Sequence, residues 1–409
     1  MPSPLSPEFP DLEFAGKFSD VEALNRGDAE ALRPTVRAEA AANWSSWRTP
    51  AAGHALVIGG NGFVGSHLVA HLSVQPGIER VVAVVRAGKE APHQRLEASL
   101  RRYRITQVDR SKIEVVEGSP TAPGLGLARD VRERLAQSVD LVFNCASSTD
   151  YSVGYLDLRS EWVLSLLRVV EFCATGRPKH LTYLGSMGRY FYQQPADFAR
   201  PDSWWYSGYA QMKWVNAELL LSLAAQGFPV TLCDTHYVLG SSVEGVDPGR
   251  TYSLWRVLEL AKTLGVVWDG SGMNYVPVDV LVGSVTANCL APQPLARILP
   301  RNVEPYRTSV WAAGMGAEVV PLPDFMAEVR LRAPRVVDSL LSSDVGDLID
   351  TINGPEAVFP GSYSFTWPTH EALFDLYFSK IDFQHLRWVR PRPRVADLTA
   401  VERAVLPAG

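Results

Sequence analysis

The chain has 409 residues, of which 46% are hydrophobic and 20% charged, and its formal net charge is −5. The acidic balance excludes a general nucleic-acid binder, and no apolar run approaches the roughly 18 residues of a membrane span. Cys145, Cys173, Cys233 and Cys289 are scattered without a CxxC pair, which predicts reduced core thiols and no zinc site. The opening MPSPLSPEFPDLEF lacks the basic start and apolar core of a secretory signal, so an intracellular, cytoplasmic protein is expected.

In chain order, residues 1–50 read as an N-terminal extension. A Pro-rich tip precedes a helical stretch whose Leu24, Leu32 and Trp44 are expected to pack on the main body. Residues 55–58 are apolar and predict a buried strand. Gly59, Gly62 and Gly65 follow at three-residue spacing, and Phe63, Val64, Leu68, Val69 and Leu72 then recur as one helical face. A strand, a glycine turn and a helix in this order make a dinucleotide site, because the backbone must bend sharply and let a pyrophosphate approach the helix N-terminus. Further strands are expected at 81–85, 113–116, 141–144, 180–184 and 230–233, with helices at 91–104, 156–173 and 209–225 between them. This alternation predicts an α/β fold, a Rossmann-type doubly wound parallel sheet, over residues 51–240. Residues 241–409 are expected to form mainly a smaller, mostly helical substrate-binding part, with some segments returning to the first domain. Helical segments are predicted there at 255–264, 280–290, 323–331 and 371–378.

Arg86 closes the second strand, where an NAD-selective fold usually places an acidic residue for the ribose hydroxyls. A guanidinium there suits the 2′-phosphate of NADP, with Arg95 as its helper. Tyr209 and Lys213 form a YxxxK pair on one helical face, where an ammonium beside a phenol favours its phenolate form. That pairing makes Tyr209 a candidate general acid toward a developing alkoxide. Ser186, just past the fifth strand, is placed to donate a further hydrogen bond to a substrate carbonyl. His67 and His71 fall off the apolar face of their helix and read as a solvated pair. Arg101, Arg102 and Arg104, and Arg387, Arg390, Arg392 and Arg394, are the dense basic clusters, with carrier docking as their candidate role. Trp204, Trp205 and Tyr206 are expected to pack beneath a cap over the site.

The set GGNGFVG, NCA at residues 144–146, Ser186 and the Tyr209/Lys213 pair resembles the extended short-chain dehydrogenase/reductase superfamily. Within it, EAAANW, VVRAG, SGYAQMKWVNAELL and MNYVPVDV are similar to the thioester reductase domains that end nonribosomal peptide synthetases, polyketide synthases and carboxylic acid reductases. The resemblance runs from about residue 38 to the C-terminus. It implies NADPH, held by Gly59, Gly62, Phe63, Val64, Gly65, Arg86, Arg95, Asn144, Ala146, Tyr209 and Lys213, and catalysis by Ser186, Tyr209 and Lys213. The implied substrate is an acyl thioester on the phosphopantetheine arm of a separate carrier protein, released as an aldehyde or alcohol in specialised metabolism. The chain departs from that pattern at four places: Gly118 and Ser119 after the third strand, Trp162 in the long helix, Gly185 before Ser186, and Asp234 and Thr235 after the sixth strand. Two other readings stay open. One is a dehydrogenase or epimerase acting on a free small molecule; the other is a non-redox release, cyclisation or scaffold protein of the same fold.

Overall fold

The structure is a computed structural model, and it describes residues 27–29, 44–149, 153–187, 208–246, 248, 253–269, 271–273, 275–300, 306–332 and 362–363. Strand β1 (Gly53–Ile58) leads into helix α1 (Phe63–Ser73), and then follow β2 (Ile78–Val85), α2 (Pro92–Arg102) and β3 (Ile113–Glu117). Next come α3 (Arg129–Ser138), β4 (Leu141–Asn144) and α4 (Tyr155–Leu158). A π-helical turn over Arg159–Val163 joins α4 to α5 (Leu164–Ala174), and β5 (His180–Leu184), α6 (Gly208–Ala225) and β6 (Val230–Cys233) complete the alternation. Beyond them lie β7 (Tyr237–Leu239), α7 (Ser253–Leu264), β8 (Val266–Trp268), β9 (Ser271–Met273), β10 (Tyr275–Pro277) and α8 (Val278–Cys289). The last described elements are β11 (Arg297–Pro300), β12 (Tyr306–Arg307), α9 (Ser309–Met315), β13 (Glu318–Val320), α10 (Leu322–Arg332) and β14 (Ser362–Tyr363).

Eight strands form one sheet in the order β14-β11-β6-β5-β4-β1-β2-β3, every neighbouring pair parallel. The expected doubly wound sheet is present, and its order reverses between β1 and β4, where such folds open a ligand crevice at the carboxyl ends of the strands. Alternate residues of each strand feed two separate cores. Leu56, Ile58, Val82 and Val84 pack with α3, α5 and α6, while Ala55, Val57, Val81 and Ala83 pack with α1, α2 and α8. Trp44 is buried in the first core and meets Phe228 edge-on at 4.8 Å between ring centres. The other packing residues expected of the extension, Leu24 and Leu32, lie outside the described residues. So do the helix expected at 371–378, Trp204, Trp205 and Tyr206, and the arginines at 387–394.

The long helix expected at 156–173 exists, but a π turn interrupts it. The sequence reading places no helix at α3, because half of RDVRERLAQS is charged and only Leu135 and Ala136 of it are buried. Past β7 the short pairs β7–β10 and β8–β13 are parallel, and β9–β12 is antiparallel. Trp268, Trp311 and Phe325 form an aromatic core there. Helix α8 instead returns to cover α1, and β11 extends the main sheet beside β6.

Candidate active site

The glycine turn bends as its residue types demand. Gly59 has φ +81°, a conformation that L side chains rarely adopt. A Cβ on Gly65 would lie 2.1 Å from the Gly59 carbonyl oxygen, so any side chain there drives the helix off the strand. The Gly62 N–H donates to Gly59 O at 2.9 Å, and Gly62 caps α1 from an extended conformation. Phe63 and Val64 open α1. Gly60 also belongs to this turn, though three-residue spacing passes over it. A Cβ on Gly60 would meet that of Ala83 at 2.9 Å. This bare cradle of backbone N–H groups at a helix N-terminus fits a pyrophosphate, the anion of a dinucleotide.

Across the crevice, Asn144 ends β4. Its side-chain oxygen accepts the Ala146 N–H at 3.2 Å, and the Ala146 backbone presses against Gly59. Arg86 lies exposed just past β2, and Arg95 on α2 donates to the carbonyl oxygens of Arg86 and Ala87. Arg95 thereby holds the loop that carries Arg86.

Ser186, Tyr209 and Lys213 meet at the carboxyl end of β5. Tyr209 and Ser186 are hydrogen-bonded through their side chains. The Lys213 Nζ donates to Leu184 O at 2.8 Å and lies 5.0 Å from the centre of the Tyr183 ring and 5.6 Å from that of Tyr209. Burial pushes the Tyr209 phenol above its usual range. The Ser186 hydrogen bond opposes that rise, and the charge of Asp234 adds to it. The sequence had predicted the reverse, a phenol shifted toward phenolate by the lysine. Desolvation outweighs the cation here, because it also pulls Lys213 down to about 7. A protonated phenol at neutral pH suits a proton donor.

Trp162 and Asp234 both fall beside this group. Trp162, on the π turn, packs against the apolar cluster that includes Tyr155, Leu158, Tyr209 and Met212. Asp28, from the N-terminal extension, accepts hydrogen bonds from Tyr155 Oη at 2.7 Å and from Arg159 at 2.6 and 2.7 Å. Only tertiary contact makes that buried aspartate visible. Its partners lie more than 120 residues away.

One further expectation changes. His67 is buried, not solvated, because Tyr103 and Phe63 stack on it. Burial lowers the pKa of both His67 and His71, and among the described residues no group of three candidate ligands gathers around a metal position. Arg101, Arg102 and Arg104 lie at the carboxyl end of α2. That end of the helix lies beside the glycine turn: Ser99 Oγ donates to Asn61 O at 2.8 Å, and the Tyr103 ring meets that of Phe63, the first residue of α1, at 5.2 Å between centres. Among the described residues no helix is long and apolar enough to cross a membrane.

A family described as "Male sterility protein", an NAD-binding family, matches residues 57–285. The non-canonical nonribosomal peptide synthetase cpsA of Aspergillus campestris is 28% identical over 256 residues, 58% of this chain and 24% of that protein. Aldehyde reductase lnbA of Aspergillus flavus is 28% identical over 250 residues, 57% of this chain and 25% of that protein. The chain spans about a quarter of the length of these curated relatives. Among solved structures, the terminal R domain from the myxalamid PKS-NRPS biosynthetic pathway superposes with a TM-score of 0.69 at 21% identity, covering 88% of this chain and 97% of that one. The glycine cradle, the parallel sheet and these matches agree: the chain belongs to the NAD-binding Male sterility protein family, with the fold of a terminal reductase domain.

Proposed function

We propose that the chain is an NADPH-dependent reductase of acyl thioesters presented on the phosphopantetheine arm of a carrier protein, releasing an aldehyde or alcohol. The observation that carries this reading is the hydrogen-bonded Ser186–Tyr209 pair, with Lys213 beside it, at the crevice next to the glycine turn. The names of relatives, a nonribosomal peptide synthetase and an aldehyde reductase, support the substrate class.

The glycine cradle would hold the pyrophosphate, Arg86 the 2′-phosphate, and Lys213 the nicotinamide ribose. When bound, the cofactor supplies hydride to the thioester carbonyl carbon. Ser186 and Tyr209 then act at the carbonyl oxygen: both donate hydrogen bonds to the charge developing there, and Tyr209 gives up its proton. The resulting hemithioacetal expels the pantetheine thiol and leaves the aldehyde.

Oxidation of NADPH with an acyl-pantetheine thioester tests this directly. Turnover is expected in the unmodified protein, and Tyr209→Phe is expected to lower it about 100-fold with cofactor affinity nearly unchanged. Turnover with free ketones or nucleotide sugars but not with thioesters would move the assignment to a small-molecule dehydrogenase. No hydride transfer to any acceptor would make the protein non-redox.

A further inference from the structure

Leu184 of β5 pairs in register with Cys233 of β6, so the residues that follow, Gly185 and Asp234, stand opposite each other. The Gly185 N–H donates to Cys233 O at 2.8 Å. The Asp234 side chain lies against the glycine: a Cβ on Gly185 would come within 2.4 Å of Asp234 Oδ1. With any larger residue at 185, the carboxylate would have to leave. Asp234 is only 2% exposed.

Gly185 is the link between the two working contacts of the site. On one side is Leu184, whose carbonyl accepts the Lys213 ammonium; on the other is Ser186, bonded to Tyr209. The titratable groups facing Lys213 are Tyr183 from β5, Tyr209 from its own helix, Cys145 just past β4 and Asp234 just past β6. Burial raises the Tyr183 phenol and pushes the Cys145 thiol up to about 12, so both are neutral at neutral pH. Among the described residues, Asp234 is therefore the group that brings negative charge to this lysine.

We propose that Asp234 is a positioning residue that holds Lys213 as the ammonium ion, and that the absence of a side chain at Gly185 is what admits its carboxylate. Burial raises the Tyr209 phenol and the same charge adds to that rise, so Asp234 favours the cation and does not work against the proton donor. Burial works against the cation, and Asp234 opposes it. In its consequence for turnover the proposal rests on the reductase reading.

The experiment is a pH titration of the full chain carrying ¹³Cε-labelled lysine, with Lys213→Arg used to assign the signal. Asp234→Asn is expected to lower the Lys213 midpoint by about one pH unit or more, the effect of removing a close opposite charge. The alkaline limb of kcat/KM for NADPH oxidation with an acyl-pantetheine thioester should move down by the same amount, and lowering the pH should restore turnover. Gly185→Ala, which displaces the carboxylate without removing it, should shift the midpoint in the same direction. Asp234→Ser replaces Asp234→Asn if the amide variant does not fold. An unchanged or raised Lys213 midpoint in a folded Asp234 variant overturns the proposal. The titration needs no turnover, so it stands or falls separately from the thioester assay.

Discussion

The phosphate contact proposed for Arg86 requires little side-chain packing. The residue is exposed at the end of β2, and Arg95 fixes the backbone that carries it by donating to its carbonyl oxygen. A guanidinium so placed can fork onto a phosphate without being desolvated first. NADPH is expected to bind about tenfold tighter than NADH or better, and Arg86→Ala should erase most of that gap, about 1.4 kcal/mol for a tenfold preference. Fluorescence titration with both cofactors measures it, and equal affinities in the unmodified protein would contradict the assignment. Tyr209 makes the complementary point. Its identity and its spacing from Lys213 were legible in the chain, but the direction of its pKa was not. That direction depends on how completely α6 and β5 bury it, and burial is a property of the assembled sheet.

At the scale of elements, the helix before β5 is shaped by a residue that precedes the whole sheet. Arg159 opens the π turn and, with Tyr155, clamps the Asp28 carboxylate, which is almost wholly buried. The turn also carries Trp162, which packs against the apolar cluster that includes Tyr209 and Met212. Removing one partner of a buried charge pair leaves the other uncompensated, which typically costs about 3 kcal/mol or more. Asp28→Asn is therefore expected to lower the urea midpoint markedly, and Arg159→Met combined with Asp28→Leu should recover much of the loss. An Asp28→Asn protein as stable as the parent would show that the clamp is not a stabilising contact.

The whole molecule carries a pH dependence that lies far from the site. His180 begins β5, its Nε2 meets Thr231 Oγ1 at 3.2 Å, and Trp47 stacks on its ring at 5.0 Å between centres. Complete burial pulls its pKa down to about 3. The unfolded chain takes up a proton at this histidine near pH 6.5 and the folded chain does not, so stability is intact above pH 6.5 and lost as the pH falls below it. At pH 5 the loss from this residue alone is about 2 kcal/mol. His67 and His71 are shifted in the same direction and add to it. Urea unfolding at pH 7.5 and pH 5.0 should show the drop, and His180→Gln should make it smaller. Equal drops in the two proteins would rule out His180 as a source.

By itself the sequence determined the first six strands, the glycine turn and the Tyr209–Lys213 spacing. All three are local: a buried strand announces itself by apolar β-branched residues, a tight turn by missing side chains, a helical face by four-residue spacing. It also placed Ser186 at a strand end, because the strand before it could be read. Only the tertiary structure decided that Gly60 lies close against Ala83, that Asp28 reaches Arg159, that the Tyr103 ring packs on His67, and that Asp234 lies against Gly185. Each of these joins residues far apart in the chain. Parallel strands linked through crossover helices bring together positions that no short-range pattern relates, and the charges and protonation states of the site follow from that meeting.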